Sequence, residues 1–236
     1  MDNSLIDIHD KKFNKVWQYF QNGFRPPAYH PERVAGFEGR KTSLTLNIPI
    51  SQPEIIQKIR QVSSVLKGLD GIYLMPEKYY HVTVKWLGFF TDRKEQEYDI
   101  EPETLDLIME QAEEIIGQIP PFEICLKRLN GLGSFVVCEV NDNGAIARLQ
   151  GRFHQDAAHI PIYPLEGEEW LPHLSLAGIK SQESISELQK KVHQLRDIEL
   201  GTVSVNEIHL SQAILQEPSP ICNTIHTFQL SNSSIQ

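Results

Sequence analysis

The sequence predicts an α+β fold with antiparallel sheets and with helices on their outer face. Three observations lead to this prediction. Segments that alternate apolar and polar residues, as strands do, are mixed with segments that repeat apolar residues at helical spacing. The order strand, helix, loop, strand occurs twice along the 236 residues. In both copies the last strand begins with a histidine, and a mixed order of this kind is typical of α+β proteins.

Length and composition restrict the architecture further. With 236 residues, 40% hydrophobic and 22% charged, the chain suits one large domain or two closely packed lobes and not wholesale disorder. The first twenty residues are charged throughout, and no apolar stretch approaches ~18 residues, so we expect no secretory signal and no membrane span. The three cysteines show no CxxC spacing, which predicts reduced thiols in a cytoplasmic protein.

The net charge of −9 is concentrated in one segment. Residues 92–118 contain ten acidic residues against two basic ones, so the rest of the chain is nearly neutral. Binding to extended duplex nucleic acid needs many phosphate contacts from lysine and arginine, and we do not expect it here. A small phosphate-bearing ligand or a single nucleic-acid end stays compatible with this charge.

The first half contains the following predicted elements. An amphipathic piece around Phe13–Phe20 leads into a loop rich in proline and glycine, which includes Pro26-Pro27. Residues 42–50 alternate as a half-buried strand, and Ser51–Glu54 resembles a capping box that opens a helix. Two glycines end that helix. A short strand (71–76) and a longer one (81–89) follow.

The second half repeats this order. The acidic segment becomes a helix near Glu103–Gly117, and two prolines stop it. Strands follow at 122–129 and 134–140, with a turn at Gly131–Gly133, and then a helix, a loop (159–169) and a strand at 173–179. After a further amphipathic helix, residues 203–210 close the fold as one strand, and the tail frays.

Two matched tetrapeptides open equivalent strands. They read HVTV from His81 and HLSL from His173, 92 residues apart. Since residues i and i+2 of a strand share a face, His81 and Thr83 lie on one side, and His173 and Ser175 repeat the arrangement. If the two halves face each other, two imidazoles and two hydroxyls line one cleft.

This set of groups suits phosphodiester cleavage. One neutral histidine can activate a water or hydroxyl, and one protonated histidine can protonate the leaving oxygen. The two hydroxyls can donate hydrogen bonds to the non-bridging phosphate oxygens. No metal or cofactor is needed. By the same alternation, Lys85 lies on the His81 face and adds positive charge near the phosphate, whereas Trp86 lies in the core.

The sequence resembles the 2H phosphoesterase superfamily, which is named for two H-x-[ST]-x motifs. The resemblance covers residues 41–215 and includes the flank HVTVKWLGFF and Pro172 before the second motif. It implies a bilobal duplicated fold with two antiparallel β-sheets facing a central groove and helices on the outside. It also implies that His81 and His173 are the acid/base pair and that Thr83 and Ser175 bind the phosphate. Family members include RNA 2′,3′-cyclic phosphodiesterases and 2′-5′ RNA ligase-like enzymes, so the expected partner is a nucleotide or an RNA end.

The resemblance divides the chain into two parts. Residues 1–40 are an N-terminal extension, either a lid or a connector. Residues 41–236 form a single bilobal domain whose intertwined lobes are roughly 41–118 and 119–215. The arginine that several RNA-acting members carry after the second motif is absent, because Gly178 and Ile179 precede Lys180. The candidates for further substrate contacts are Lys85, Lys180, Tyr80 and Trp170.

The remaining patterns do not indicate another site. His154 and His159 are five residues apart, ~140° around a helix, so they do not form a helical metal pair. The leading hypothesis is a metal-independent phosphoesterase acting on a 2′,3′-cyclic phosphate or a 2′-linked phosphodiester. The alternatives are a non-catalytic binding module for nucleotides or RNA ends and, third, a partner protein that uses the acidic helix.

Overall fold

The structure is a computed structural model that describes residues 3–25, 39–162, 166–214 and 220–231. Five helices occur in these ranges: α1 (Asn3–Asn22), α2 (Pro53–Leu66), α3 (Pro102–Ile116), α4 (Ala145–Asp156) and α5 (Ile185–Gln194). The strands are β1 (Thr42–Pro49), β2 (Ile72–Leu74), β3 (His81–Phe90), β4 (Asp99–Ile100), β5 (Phe122–Leu132), β6 (Phe135–Asn141), β7 (His173–Ile179), β8 (Glu199–Val205), β9 (Glu207–Ile214) and β10 (Ile221–Gln229).

The strands form one sheet made of two half-sheets. The order along the sheet is β10-β9-β1-β3-β7-β6-β5-β8, with β2 beside β7 and β4 beside β3. We call β10-β9-β1-β3 the first half-sheet and β7-β6-β5-β8 the second. One residue pair, Val82 with Leu174, joins them in the β3–β7 register. The predicted α+β class with antiparallel pairing is confirmed, and the two predicted sheets meet at this pair.

The internal duplication is visible in matching backbone contacts. The Ile50 amide donates to the Tyr80 carbonyl at 3.0 Å, and the Val140 amide donates to the Pro172 carbonyl at 3.1 Å. Helix α2 follows β1 but packs on β7 and β8, whereas α4 follows β6 but packs on β3. Each half therefore covers the other half's sheet, and a single continuous core connects them.

The core lies between the sheet and α2–α5. Helices bury one apolar stripe each, because only residues at 3.6-residue spacing face the sheet. In α2 that stripe is Ile55, Ile59, Val62 and Leu66. We call this side of the sheet the helix face. Within the described ranges, no helix is long and apolar enough to cross a membrane.

Several predicted boundaries differ from the structure. The predicted single closing strand is two strands divided at Asn206, because β8 ends the second half-sheet and β9 belongs to the first. Strand β10 was not predicted, and the tail expected to fray lies, after Ser231, outside the described residues. Gly131 lies inside β5, and the turn is at Gly133–Ser134. Gln52 is the N-cap of α2 and makes no side-chain cap, so the capping box is wrong. The predicted Pro26-Pro27 loop lies outside the described residues.

Candidate active site

The four motif side chains share one face of the sheet, opposite the helix face, which we call the groove face. Val82 and Leu174 point into the core and are 0% exposed. Continuing their antiparallel register sets His81 opposite Ser175 and Thr83 opposite His173. Directly opposed Cβ atoms are ~5 Å apart and diagonal ones ~7–8 Å. The two histidines thus lie on one diagonal and the two hydroxyls on the other.

Both imidazole rings are anchored by the backbone in the same way. His81 Nδ1 lies 2.6 Å from the carbonyl oxygen of Tyr79, and His173 Nδ1 lies 2.7 Å from that of Leu171. A carbonyl oxygen only accepts, so each Nδ1 carries the hydrogen. The Nε2 atom of each ring is therefore the one that can exchange a proton with a ligand.

The environment of the rings disfavours their charged forms. Burial lowers the pKa of His81 from 6.5 to about 4; the Tyr79 carbonyl opposes this shift, and repulsion from His173 adds to it. Burial also lowers the pKa of His173. An anionic phosphate between the rings would reverse this trend, because an opposite charge within ~4–6 Å favours the protonated form.

A β-bulge follows the hydroxyl residue in both motifs. On β3, Thr83 pairs with Asn47 and Lys85 pairs with Leu46, so Val84 has no partner on β1. On β7, the register between Ser175 and Ala177 is shifted in the same way around Leu176. Because the bulge inserts one extra residue, every side chain beyond it lies on the face opposite to the one that unbroken alternation predicts.

The bulge makes two predictions wrong. Lys85 lies on the helix face, where it is 0% exposed and its Nζ binds Glu166 Oε2 at 2.6 Å. It therefore adds no charge to the groove. Trp86 lies on the groove face instead of in the core, and its Nε1 donates to Ser43 Oγ at 2.9 Å. Gln150 stabilises the bulge, because its Nε2 donates to the Val84 carbonyl at 2.7 Å.

Of the other three candidates for substrate contacts, Tyr80 and Lys180 lie away from the motif side chains. Tyr80 is a core residue on the helix face and is 6% exposed, so its ring cannot stack on a base. Its neighbour His81 points the opposite way, as strand alternation requires. Trp170 is half-buried and packs against the core. Lys180 lies seven residues beyond His173, about 23 Å along an extended strand, with its Nζ 5.0 Å from the Tyr73 ring centre.

Sequence reasoning missed two neighbours of the motif. The Tyr79 ring contacts the His81 ring edge-on, with centres 4.8 Å apart. Asn47 lies opposite Thr83 and His209 on neighbouring strands, and its Nδ2 donates to Thr45 Oγ1 at 2.8 Å. Tyr79 ends a short 3-10 turn (Glu77–Tyr79) before β3, so strand alternation does not extend to it, and no sequence pattern identified it.

His154 and His159 do not form a metal pair. His154 Nε2 lies 2.5 Å from Glu166 Oε2, the same oxygen that binds Lys85. His159 uses its backbone amide on Gln111. In the parts of the chain that the structure describes, no three His, Cys, Asp or Glu side chains are grouped as metal ligands would be.

The sequence matches one family model and several curated relatives. The family model of the 2′-5′ RNA ligase superfamily matches residues 48–214. The RNA 2′,3′-cyclic phosphodiesterase of Aeropyrum pernix is 30% identical over 145 residues, which are 55% of this chain and 82% of that protein. The RNA 2′,3′-cyclic phosphodiesterase of Methanothermobacter thermautotrophicus is 21% identical over 181 residues, 73% of this chain and 90% of that one.

Solved structures share the fold. The TT0787 protein of Thermus thermophilus matches with a TM-score of 0.60 at 16% identity, over 81% of this chain and 100% of its own. E. coli LigT complexed with ATP matches with a TM-score of 0.56 at 15% identity, over 81% and 99%. The match to the family model, the curated relatives and the paired motifs all agree. The chain therefore belongs to the 2′-5′ RNA ligase superfamily of 2H phosphoesterases and is an enzyme of that phosphodiesterase class.

Proposed function

We propose that this enzyme hydrolyses a 2′,3′-cyclic phosphate or a 2′-linked phosphodiester at the end of a nucleotide or RNA, by two-histidine acid/base catalysis and without a metal. The observation that supports this most is the pair of rings whose Nδ1 atoms bind backbone carbonyls at 2.6 and 2.7 Å. This anchoring directs both Nε2 atoms to one ligand. The activity named for the curated relatives agrees with it.

The residues account for every proton in the reaction. The neutral ring accepts a proton from water at Nε2 as the water oxygen attacks phosphorus. The protonated ring donates its Nε2 proton to the ribose oxygen as the P–O bond breaks. The products are a phosphate monoester and a free ribose hydroxyl. Thr83 and Ser175 donate hydrogen bonds to the non-bridging oxygens, where negative charge grows in the transition state.

The test is hydrolysis of a substrate panel in the presence of chelator. The panel contains 2′,3′-cyclic nucleotides, 2′-5′ dinucleotides and an RNA with a cyclic-phosphate end. The wild type is compared with His81→Ala and His173→Ala, and His226→Ala is the matched control because His226 lies on the sheet's edge strand against Glu113. We expect turnover in chelator that both motif variants lose and the control keeps.

Two results would contradict the proposal. Turnover that requires added metal would remove the metal-free mechanism. Nucleotide binding with no turnover on any substrate, in a folded wild type, would favour the binding-module alternative. Separate measurement of binding and turnover is therefore part of the design.

A further inference from the structure

The N-terminal half of helix α1 lies on the groove face of the second half-sheet. Val137 is opposite Ser175 on β6, and Asn130 is opposite Val137 on β5, so all three side chains share that face. Asn130 Nδ2 donates to the carbonyl oxygen of Phe13 in α1 at 3.0 Å. Val137 and Asn130 are 0% exposed. The helix therefore lies over β5, the second strand from Ser175, with the buried Val137 of β6 between them.

A buried carboxylate holds this arrangement together. Glu139 lies opposite His173 on the groove face and is 2% exposed. Its oxygens accept hydrogen bonds from Arg128 at 2.8 Å, Asn130 at 2.7 Å and Arg196 at 2.5 Å. Arg128 also binds Asp10 of α1. A buried charge persists only when it is paired and hydrogen-bonded. Glu139 and its partners beside His173 therefore hold α1 in place through Arg128 and Asp10.

Further contacts secure α1 at both ends. Lys12 Nζ binds Glu169, four residues before His173, at 2.8 Å. Near the other end the Phe20 ring covers Gly131 on the helix face, where a Cβ at that position would overlap the ring, and Phe20 joins the core there. Trp17 packs under the Arg196 guanidinium, whose carbon is 4.5 Å from the ring centre. These contacts fix α1 to the rest of the fold at several points along its length.

The first half-sheet presents a different surface at the matching place. Thr45, His209 and Thr227 lie on its groove face and keep partly exposed side chains. Trp86 adds a half-buried aromatic ring to the same face. Polar side chains beside an aromatic ring suit a nucleoside, because a base can stack while its edges form hydrogen bonds.

We propose that α1 closes the second half of the groove and confines the nucleoside of the substrate to the groove face of the first half-sheet. The inference rests on the proposed function, because it assumes a phosphate held between His81 and His173. Helix α1 precedes the region matched by the family model, residues 48–214. It is therefore a specificity element added to the matched region.

The test locates the bound base by photolabelling. 8-Azidoadenosine 2′,3′-cyclic phosphate is irradiated with the full-length wild type and with His81→Asn, and the labelled peptides are identified by mass spectrometry. A second protein carries Asp10→Ala with Phe13→Ala, which removes the ion pair to Arg128 and a buried ring from α1. The matched control is Lys15→Ala, at an exposed position of the same helix. Hydrogen exchange over residues 8–22 reports whether α1 is undocked.

We expect label in β1, β9 or the Trp86 segment of the wild type and little in α1 or β5. Undocking should raise the labelling of β5 and β6 several-fold, and the exposed-site control should not. Label on α1 or β5 of the wild type, with turnover intact, would overturn this inference and leave the proposed function standing. Absence of specific labelling together with absence of hydrolysis would overturn both.

Discussion

The ion pair beneath the motif strand allows a quantitative prediction for Glu166→Gln. Glu166 Oε2 is 2.6 Å from Lys85 Nζ and 2.5 Å from His154 Nε2, and the Lys85 and Glu166 side chains are 0% and 1% exposed. Neutralising Glu166 leaves the Lys85 ammonium buried without its anion. Breaking such a pair costs about 3–5 kcal/mol. For a chain of this size each kcal/mol lowers Tm by about 2–4 °C.

The matched control removes both charges. Replacing a buried ion pair by apolar groups of similar volume is often neutral or stabilising. Lys85→Met with Glu166→Met should therefore recover most of the free energy of unfolding that Glu166→Gln loses. Urea unfolding at pH 7 measures both proteins. Since Lys85 lies on the helix face, the double variant should also keep the hydrolytic rate of the wild type.

Two outcomes would refute this reasoning. A loss below about 1 kcal/mol for Glu166→Gln would mean that the pair is solvated, as surface ion pairs are. A folded double variant that has lost its hydrolytic activity would place Lys85 at the phosphate, as simple strand alternation suggests, and would contradict the bulge at Val84.

The other predictions concern the site and the Arg40–Asp99 ion pair, which lies at the other end of β3 from His81. Thr83→Val or Ser175→Ala should each lower kcat by about 10²–10³-fold if the hydroxyl stabilises transition-state charge, and an unchanged kcat in single-turnover assays would exclude that role. The pKa of His81 is about 4 and that of its partner ring is also lowered, so the singly protonated pair should give kcat/KM a maximum below pH 6.5; a maximum above pH 7 would contradict it. The Arg40 guanidinium lowers the pKa of Asp99 from 3.8 to about 2. Above pH 3.8 this carboxylate therefore contributes about 2 kcal/mol to the free energy of unfolding, and the contribution is lost as the pH falls towards 2. Asp99→Asn should lower the free energy of unfolding by that amount at pH 7, as measured by urea unfolding, and the stability of the variant should fall less steeply at acid pH. Equal acid sensitivity of both proteins would argue against this prediction.

The motif strands show what could be predicted from the sequence. The period of two placed His81 with Thr83 and His173 with Ser175, and the structure has all four on one face. The α+β class followed from the same local signals, since alternation and helical spacing depend on which residues are apolar. The duplication was likewise visible in the order of elements and in the two histidines.

The same rule fails a few residues further along β3. It places Lys85 with His81 and Trp86 in the core, because it assumes an unbroken alternation. The bulge at Val84 breaks it, and the group that satisfies the freed carbonyl, Gln150, comes from a helix 66 residues away. A short run of sequence does not contain that information.

The groove combines features that local sequence determines with features that only tertiary packing determines. Local patterning specified the two histidines, their hydroxyl partners and the elements that carry them, because side-chain direction in a strand depends on neighbouring residues alone. Tertiary packing decided that α2 and α4 exchange sheets, that Asn206 divides β8 from β9 across the two halves, and that α1 lies over β5, two strands from Ser175. These features join residues that are far apart in the sequence. Their energies come from burial and from charge pairing around Glu139, which exist only once the chain has folded.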